Sequence, residues 1–193
     1  MKTLRAFIAA LCICSTASVA RSQAIATATG PGSYVAVGAG VSGFQTDYGH
    51  HRIAGVLAFA DVNPQWRFGL EGEARFLRWH ANEQVTETNY LGGLRVALAR
   101  RPGRWSPYAK FLAGAGEITL PYGYAHGGFL TYAPGAGLDI ALNDRFTVRA
   151  ADFEYQHWPQ FTYGALSPYG LSAGLSLRLN SVPRYPKGSR ARH

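Results

Sequence analysis

Apolar and polar positions alternate without a break across residues 168–179, whose sequence is PYGLSAGLSLRL. The odd-numbered positions from Tyr169 onward carry one aromatic residue, one alanine and four leucines. The even-numbered positions from Gly170 onward carry only glycine, serine and Arg178. Because successive side chains of a strand point to opposite faces, this period of two predicts a β-strand with one apolar face and one small, polar face.

Similar alternation, interrupted by turn residues, predicts eight strands, at 33–44, 52–62, 66–79, 88–100, 105–117, 129–142, 146–158 and 167–179. No stretch shows the spacing of an amphipathic helix. The 23 glycines and the 13% aromatic content also agree with an all-β chain. We therefore predict an all-β fold in which eight strands form one antiparallel up-and-down barrel.

The connections between these strands alternate in length. Three are tight and lie at 63–65, 101–104 and 143–145, whereas the other four are longer and lie at 45–51, 80–87, 118–128 and 159–166. Barrels of the bacterial outer membrane have short periplasmic turns and longer extracellular loops. The pattern therefore favours a transmembrane β-barrel with both chain termini on the periplasmic side.

The tight turns also predict strand register. A three-residue loop at 143–145 places Asp139 opposite Arg149 on the polar face. The turn at 101–104 places Arg95 opposite Lys110, and two adjacent cations need anions nearby. The third predicted strand supplies acidic residues on the other side of Arg95, so we expect the charges of several strands to meet.

The seventh predicted strand changes phase along its length. Val148 and Phe153 both have the character of the apolar face, although strict alternation would place them on opposite faces. We predict a β-bulge near Ala151, where one extra residue would restore the phase. The alternative is a strictly alternating strand that turns Arg149 outward near a membrane interface.

Alternation alone does not determine which face is outside. An exported soluble barrel of lipocalin-like or avidin-like type would turn the apolar face inward to hold a ligand, whereas an outer-membrane barrel turns it to lipid. Aromatic residues cluster at the strand ends, as in two interfacial girdles: Trp66, Trp79, Tyr90, Trp105, Tyr108, Tyr132, Phe146, Tyr155, Trp158 and Tyr169. The polar face mixes both charge signs with small residues, which fits a narrow lumen. We therefore expect the apolar face to meet lipid.

A barrel of eight strands is just wide enough for side chains to fill it. The charged residues that we expect to face inward are Arg52, Arg67, Glu71, Glu73, Arg75, Arg95, Lys110, Asp139, Arg149, Asp152, Glu154 and Arg178. Charges packed away from bulk water must pair with one another. We therefore predict a salt-bridge network in the lumen and no stable open pore, with an ion pathway as the alternative.

The first 24 residues have the pattern of a cleaved signal peptide. Lys2 and Arg5 precede an apolar stretch that is too short to span a membrane, and small residues permit cleavage after Ala20 or Ala24. Both cysteines lie in this segment, so the mature chain would contain no disulfide. We divide the chain into a signal peptide (1–24), a short lead (25–32), the barrel (33–179) and a basic periplasmic tail (180–193).

Little in the sequence points to catalysis or metal binding. His157 and Ser167 flank the last long connection and are the residues a lipid-modifying enzyme would use, but they form no recognisable hydrolase motif. His50, His51 and His126 lie in long connections at spacings that match no metal motif, so they are weak candidate ligands. We predict no catalytic residues, no metal and no cofactor.

The formal net charge of +8 does not indicate nucleic-acid binding. Basic residues form short runs only at 100–104 and 184–193, and an exported protein meets little nucleic acid. We therefore expect no nucleic-acid partner.

Four segments resemble the OmpA/OmpX-type eight-stranded outer-membrane barrels, namely PYAKFLAGAG (107–116), APGAGLDIAL (133–142), FTVRAADFEYQ (146–156) and PYGLSAGLSLRL (168–179). The resemblance covers residues 33–179 and is one of pattern rather than of a site motif. It implies a barrel in the bacterial outer membrane, surrounded by bilayer lipid and lipopolysaccharide and folded by the outer-membrane assembly machinery. The last strand departs from the family pattern because it ends at Leu179 without a terminal aromatic residue.

We expect a monomer with a structural, surface-interaction or adhesion role. The alternatives are a lipid-modifying outer-membrane enzyme and an exported soluble ligand-binding barrel. Small barrels share a scaffold while differing in function, so the fold alone does not choose between roles.

Overall fold

The computed structural model describes residues 34–47, 52–64, 67–79, 86–99, 104–119, 126–159 and 164–179. They form eight strands: β1 (Tyr34–Gln45), β2 (Arg52–Asn63), β3 (Phe68–Trp79), β4 (Thr86–Ala97), β5 (Trp105–Thr119), β6 (His126–Ala141), β7 (Phe146–Tyr155) and β8 (Tyr169–Arg178). None of the described residues belongs to a helix able to cross a membrane. The prediction of an all-β chain with eight strands is confirmed.

Each strand pairs antiparallel with its neighbour in the chain, and β1 pairs with β8 to close the barrel. The closing pair meets through small inward side chains: Gly40 lies opposite Gly174, and Ser42 lies opposite Ser172. The hydroxyl oxygens of these two serines are 2.7 Å apart and share a hydrogen bond inside the barrel. The small, polar face of the last strand therefore lies at the closure of the ring, facing the lumen.

The two faces of the barrel wall differ in polarity. Leu94 and Leu171 point outward with 62% and 55% of their surface exposed, whereas Arg149 points inward and is 1% exposed. The soluble-barrel alternative is wrong, because it requires the apolar face to line the interior. The outward apolar face can meet lipid, and the closed ring leaves no strand edge unpaired within the bilayer.

The predicted bulge is present in β7. Ile140 pairs with Val148 and Asp139 with Arg149, but Leu138 then pairs with Ala151, so Ala150 is the extra residue. The pairing of β7 with β8 shifts at the same place. Because of this insertion, Arg149 and Asp152 both point into the lumen although they are three residues apart. The alternative in which Arg149 faces outward is wrong.

The register predicted for the hairpin of β4 and β5 is confirmed, because Arg95 pairs with Lys110. The strand bounds differ from the predicted ones mainly at the long-connection end. There β5 and β6 continue as far as the pair of Thr119 with His126. The sequence predicts a connection at 118–128, but the backbone hydrogen bonds of a ladder do not depend on the side chains, and the ladder continues into this segment.

Deleting Ala150 would remove the bulge and force part of β7 to reverse its two faces. Reversal of the first half would turn Arg149 to the lipid, which costs about 2–4 kcal/mol near the middle of a bilayer. We expect the deletion to lower the free energy of unfolding in lipid vesicles, measured by urea titration, by at least that amount. Ala150→Val keeps the residue count and is the control. A deletion variant as stable as the control would contradict this account of the bulge.

Candidate functional site

The lumen is the one part of the described barrel where charged side chains from many strands converge. Strands β3, β4, β5, β6 and β7 each send alternate residues inward, which is the consequence of a period of two. The structure brings together nine of the predicted charged residues, all of them buried: Glu71, Glu73, Arg75, Arg95, Lys110, Asp139, Arg149, Asp152 and Glu154.

Glu71 is the centre of this lumen network. Its carboxylate accepts two hydrogen bonds from the Arg149 guanidinium, both 3.0 Å long. It also accepts one from Arg95 at 2.9 Å and one from Lys110 at 3.1 Å. Glu71 thus connects cations of three other strands, and such charge-assisted bonds are the stronger kind of hydrogen bond.

Lys110 occupies the space between four carboxylates. Its Nζ lies 2.6 Å from Glu73, 2.7 Å from Asp152 and 3.1 Å from both Glu71 and Glu154. Oxygens of Glu71, Glu73 and Asp152 come within 4.8 Å of one another, a grouping that could hold a metal ion. The ammonium group already lies among these oxygens, so the arrangement is an ion-pair cluster rather than an open metal site.

Arg75 and Arg95 connect the network to further carboxylates of the barrel wall. Arg75 forms a two-pronged contact with Glu154, at 2.6 and 3.2 Å. Arg95 donates to Asp139 at 2.6 Å and lies 3.1 Å from Asp61 on β2. The paired charges therefore run along the lumen and also across it.

Inward-facing aromatic rings stack against the flat faces of the arginine guanidinium groups. The guanidinium carbon lies 3.6 Å from the ring centre of Tyr108 for Arg95 and 3.7 Å from that of Phe59 for Arg149. Arg75 stacks on Phe44 at 4.4 Å. Cation–π contacts of this kind are strongest where water is excluded. They allow each guanidinium to use its edge for carboxylates and its face for an aromatic ring.

Trp158 covers the lumen at the long-connection end. Its side chain is fully buried, its Nε1 donates to Gln156 at 3.0 Å, and its ring lies 6.1 Å from that of Phe129. The ring also lies against the backbone of Gly116, where a Cβ atom would come within 2.5 Å of it. The close approach requires glycine at this position of β5.

Two of the predicted inward cations lie outside the network. Arg52 is exposed on the outer face of β2, because Ile53 beside it points inward. Arg67 is exposed just before β3, 5.9 Å from the ring of Phe68. The prediction that these two arginines face the lumen is wrong. Arg178 is half-buried, with its guanidinium 3.9 Å from the ring of Tyr34.

Several lumen residues were missing from the prediction. Asp61, Glu87, Asn89 and Gln156 are all buried and polar. Between its polar end residues Arg52 and Asn63, strand β2 is apolar on both faces apart from Asp61, so alternation could not reveal which of its residues point inward. Glu87 and Asn89 lie where a loop and the start of a strand were predicted. Asn89 Nδ2 donates to Glu87 at 2.6 Å.

Most of the predicted girdle residues that the structure describes are exposed on the outer face: Tyr90, Trp105, Tyr132, Phe146, Tyr155 and Tyr169. The prediction of a girdle position is wrong for Tyr108 and Trp158, because both are buried in the lumen. Tyr108 lies two residues from Lys110, and side chains two apart share a strand face. Trp66 lies outside the described residues, and Trp79 ends β3.

The weak histidine candidates gain no support. His50 and His51 lie outside the described residues, and His126 is the first residue of β6.

Acidic groups outnumber basic groups in the described part of the lumen. Seven buried carboxylates (Asp61, Glu71, Glu73, Glu87, Asp139, Asp152 and Glu154) share it with four buried cations (Arg75, Arg95, Lys110 and Arg149). Each of the four cations therefore serves two or more carboxylates. Removing one cation would leave several buried acids without their partner.

A closed antiparallel barrel with an apolar outer face and a lumen filled by paired charges is a transmembrane β-barrel. The sequence model of the outer membrane protein beta-barrel domain matches residues 7–178, and the chain belongs to this family. It is thus a protein of the bacterial outer membrane. The cleavage of its first residues stays a prediction.

Solved structures show the same fold. The barrel is similar to Neisserial surface protein A, with a TM-score of 0.62 and 12% identity, covering 76% of this chain and 97% of that one. It is also similar to the N-terminal barrel of Pseudomonas aeruginosa OprF, with a TM-score of 0.54 and 13% identity, covering 76% and 98%. No curated protein sequence matches the chain.

Replacing Lys110 with methionine would keep the length of the side chain and remove its charge. Four buried carboxylates would lose a common partner, and breaking a buried ion pair in this way costs about 3–5 kcal/mol. We expect a decrease of this size in the free energy of unfolding, measured by urea titration in lipid vesicles. Arg67→Met, which removes an exposed cation, should change the free energy little. Equal stability of the two variants would contradict the role assigned to Lys110.

Proposed function

We propose that this protein is a closed outer-membrane barrel whose role is structural and interactive, rather than that of a channel. The observation that carries the proposal is the filling of the lumen by the network centred on Glu71 and Lys110. We further propose that the chain is exported through a cleaved signal peptide, is inserted by the outer-membrane assembly machinery among lipopolysaccharide, and remains a monomer.

The packing of the lumen supports a closed barrel. Arg149 on β7 reaches Asp61 on β2 at 3.3 Å, so one side chain connects walls that are far apart in the ring. Permeation of an ion would require separating such pairs, each of which is buried. Trp158 covers the same lumen nearer the long connections.

The long-connection end offers a surface for contact with partners. Strands β5 and β6 contain 15 and 16 residues and are the longest of the eight. Their ladder extends to Thr119 and His126, whereas β6 and β7 pair continuously only from Gly135 with Glu154, so the β6 side of this hairpin projects beyond β7. The residues between these strands, 120–125, read LPYGYA and include two tyrosines. Tyrosine is a common residue of protein interfaces.

Lipid hydrolysis is the alternative role, and one contact favours it. His157 Nδ1 lies 3.4 Å from Ser167 Oγ, at the long-connection end. A histidine base usually needs a third group to orient it. Glu154, the nearest carboxylate in sequence, points into the lumen and binds Arg75. The contact lies beside the backbone bridge between Trp158 and Leu166, so we assign it to the closing of this connection.

The proposal predicts that the refolded protein forms no stable channel in planar lipid bilayers. Insertion would be verified by the difference in gel mobility between heated and unheated samples. Stable conductance steps that disappear in Arg95→Gln or Glu71→Gln would contradict the closed lumen, because they would show an ion path along these residues.

The proposal also predicts that contact with other surfaces depends on the projecting hairpin. Replacing residues 120–125 with a glycine–serine segment of equal length should reduce the adhesion of expressing cells to a surface coated with extracellular-matrix protein. The matched control replaces the tight turn at 143–145, at the opposite end of the barrel. Equal adhesion of both variants and the original chain would contradict a role for the hairpin.

A further inference from the structure

An open groove lies on the outer wall near the long-connection end, where β8, β1 and β2 run side by side. It encloses a volume of about 580 Å³, within the range typical of small-molecule sites. Gly43 forms its floor, with Ala54 paired on one side and Leu171 on the other. A Cβ atom added to Gly43 would meet no other atom within 4 Å, so the floor is open to the outside.

Large apolar side chains border this groove on one side. Phe153 pairs with Leu171 and is 49% exposed, and Tyr169, also 49% exposed, lies one outward row nearer the long connections. The floor is low because the outward residues of β1 and β2 at this level are small, whereas the outward residues of β7 and β8 that border the groove are large. The result is an apolar recess in the lipid-facing surface with a wall along one edge.

A positive charge lies at the end of the groove nearest the long connections. Arg52 pairs with Gln45, which in turn pairs with Tyr169, so these three side chains form one row. This row is two residues from Gly43 in the direction of the long connections, which is about 7 Å along the strands. Arg52 Nε donates to Gln45 Oε1 at 3.4 Å, and Arg52 contacts no carboxylate in the described part of the chain. Its guanidinium can therefore pair with an external anion.

We propose that the groove binds an anionic membrane lipid that carries a phosphate, with one acyl chain over Gly43 and the phosphate at Arg52. Arginine matches phosphate through two parallel hydrogen bonds. Tyr169 in the same row is an aromatic residue of the kind that marks the level of lipid head groups. The apolar floor and the cation beyond it, toward the long connections, thus match the order of acyl chain and phosphate in a lipid.

The occupant is a lipid rather than a second copy of the chain, because the charge complementarity of the site is that of one cation with one phosphate. Two copies joined face to face at this groove would bring two Arg52 side chains near each other. The site does not depend on whether the lumen conducts ions, so this proposal and the closed lumen succeed or fail separately.

The test is native mass spectrometry of the full chain, released from detergent after incubation with phosphatidylglycerol or with phosphatidylcholine of the same acyl chains. We expect one retained phosphatidylglycerol, favoured over phosphatidylcholine by about tenfold, because only the anionic lipid offers Arg52 an uncompensated charge. Arg52→Gln should remove this preference. Gly43→Leu, which fills the floor, should reduce retention of both lipids.

Matched controls exist on other parts of the wall. Gly72 on β3 is also outward-facing, and a Cβ there meets nothing within 4 Å, so Gly72→Leu adds the same bulk elsewhere. Arg67→Gln removes an exposed cation near the tight-turn end. Both controls should retain lipid as the original chain does. The proposal is overturned if the original chain retains no lipid or holds both lipids equally. It is also overturned if Gly72→Leu reduces retention as much as Gly43→Leu. A dimer of the original chain that Gly43→Leu abolishes would show that a second copy, and not a lipid, occupies the groove.

Discussion

The pairing of buried charges in a narrow lumen is the constraint on which the rest of this barrel depends. Each of the four cations Arg75, Arg95, Lys110 and Arg149 contacts two or more carboxylates at once, and all are nearly inaccessible to solvent. Isolated charges in such a place would be strongly unfavourable, because desolvation outweighs any single attraction. The network is therefore stable only as a whole, and each strand must deliver its charge at a particular height.

That requirement explains features of the wall that otherwise look irregular. The bulge at Ala150 sets Arg149 and Asp152 on the same face, so that Arg149 reaches Glu71 while Asp152 reaches Lys110. Inward rings serve the same end, since each stacked guanidinium is held flat with its edge toward the carboxylates. Space for these rings comes from small residues, as where the Tyr108 ring lies against the backbone of Gly137.

Sequence patterns were informative wherever one face of a strand was clearly more polar than the other. In β3, Glu71, Glu73 and Arg75 alternate with apolar residues, so their inward orientation was predictable. In β2 most residues on both faces are apolar, so the pattern does not show that Arg52 points outward and Asp61 inward. The place of Tyr108 beside a tight turn predicts a girdle residue, although the register that places Lys110 inward also requires Tyr108 to point inward. Distances among charges depend on the curvature of the closed ring, which no single strand encodes.

The closure between β1 and β8 shows how demands on the two sides of the wall interact. Inside, Gly38 leaves room for the ring of Phe59, which in turn stacks on Arg149. Outside, β1 carries Ala39 and Gly43 as well as three exposed valines, so its outer face is low at the Gly43 end. A strand that had only to meet lipid would gain from large apolar side chains, which bury more surface. The small residues inside follow from the crowded lumen, whereas the lumen does not explain those outside. The recess at Gly43 beneath Arg52 is therefore a property of the outer surface in its own right, and a bound lipid is a reason for it.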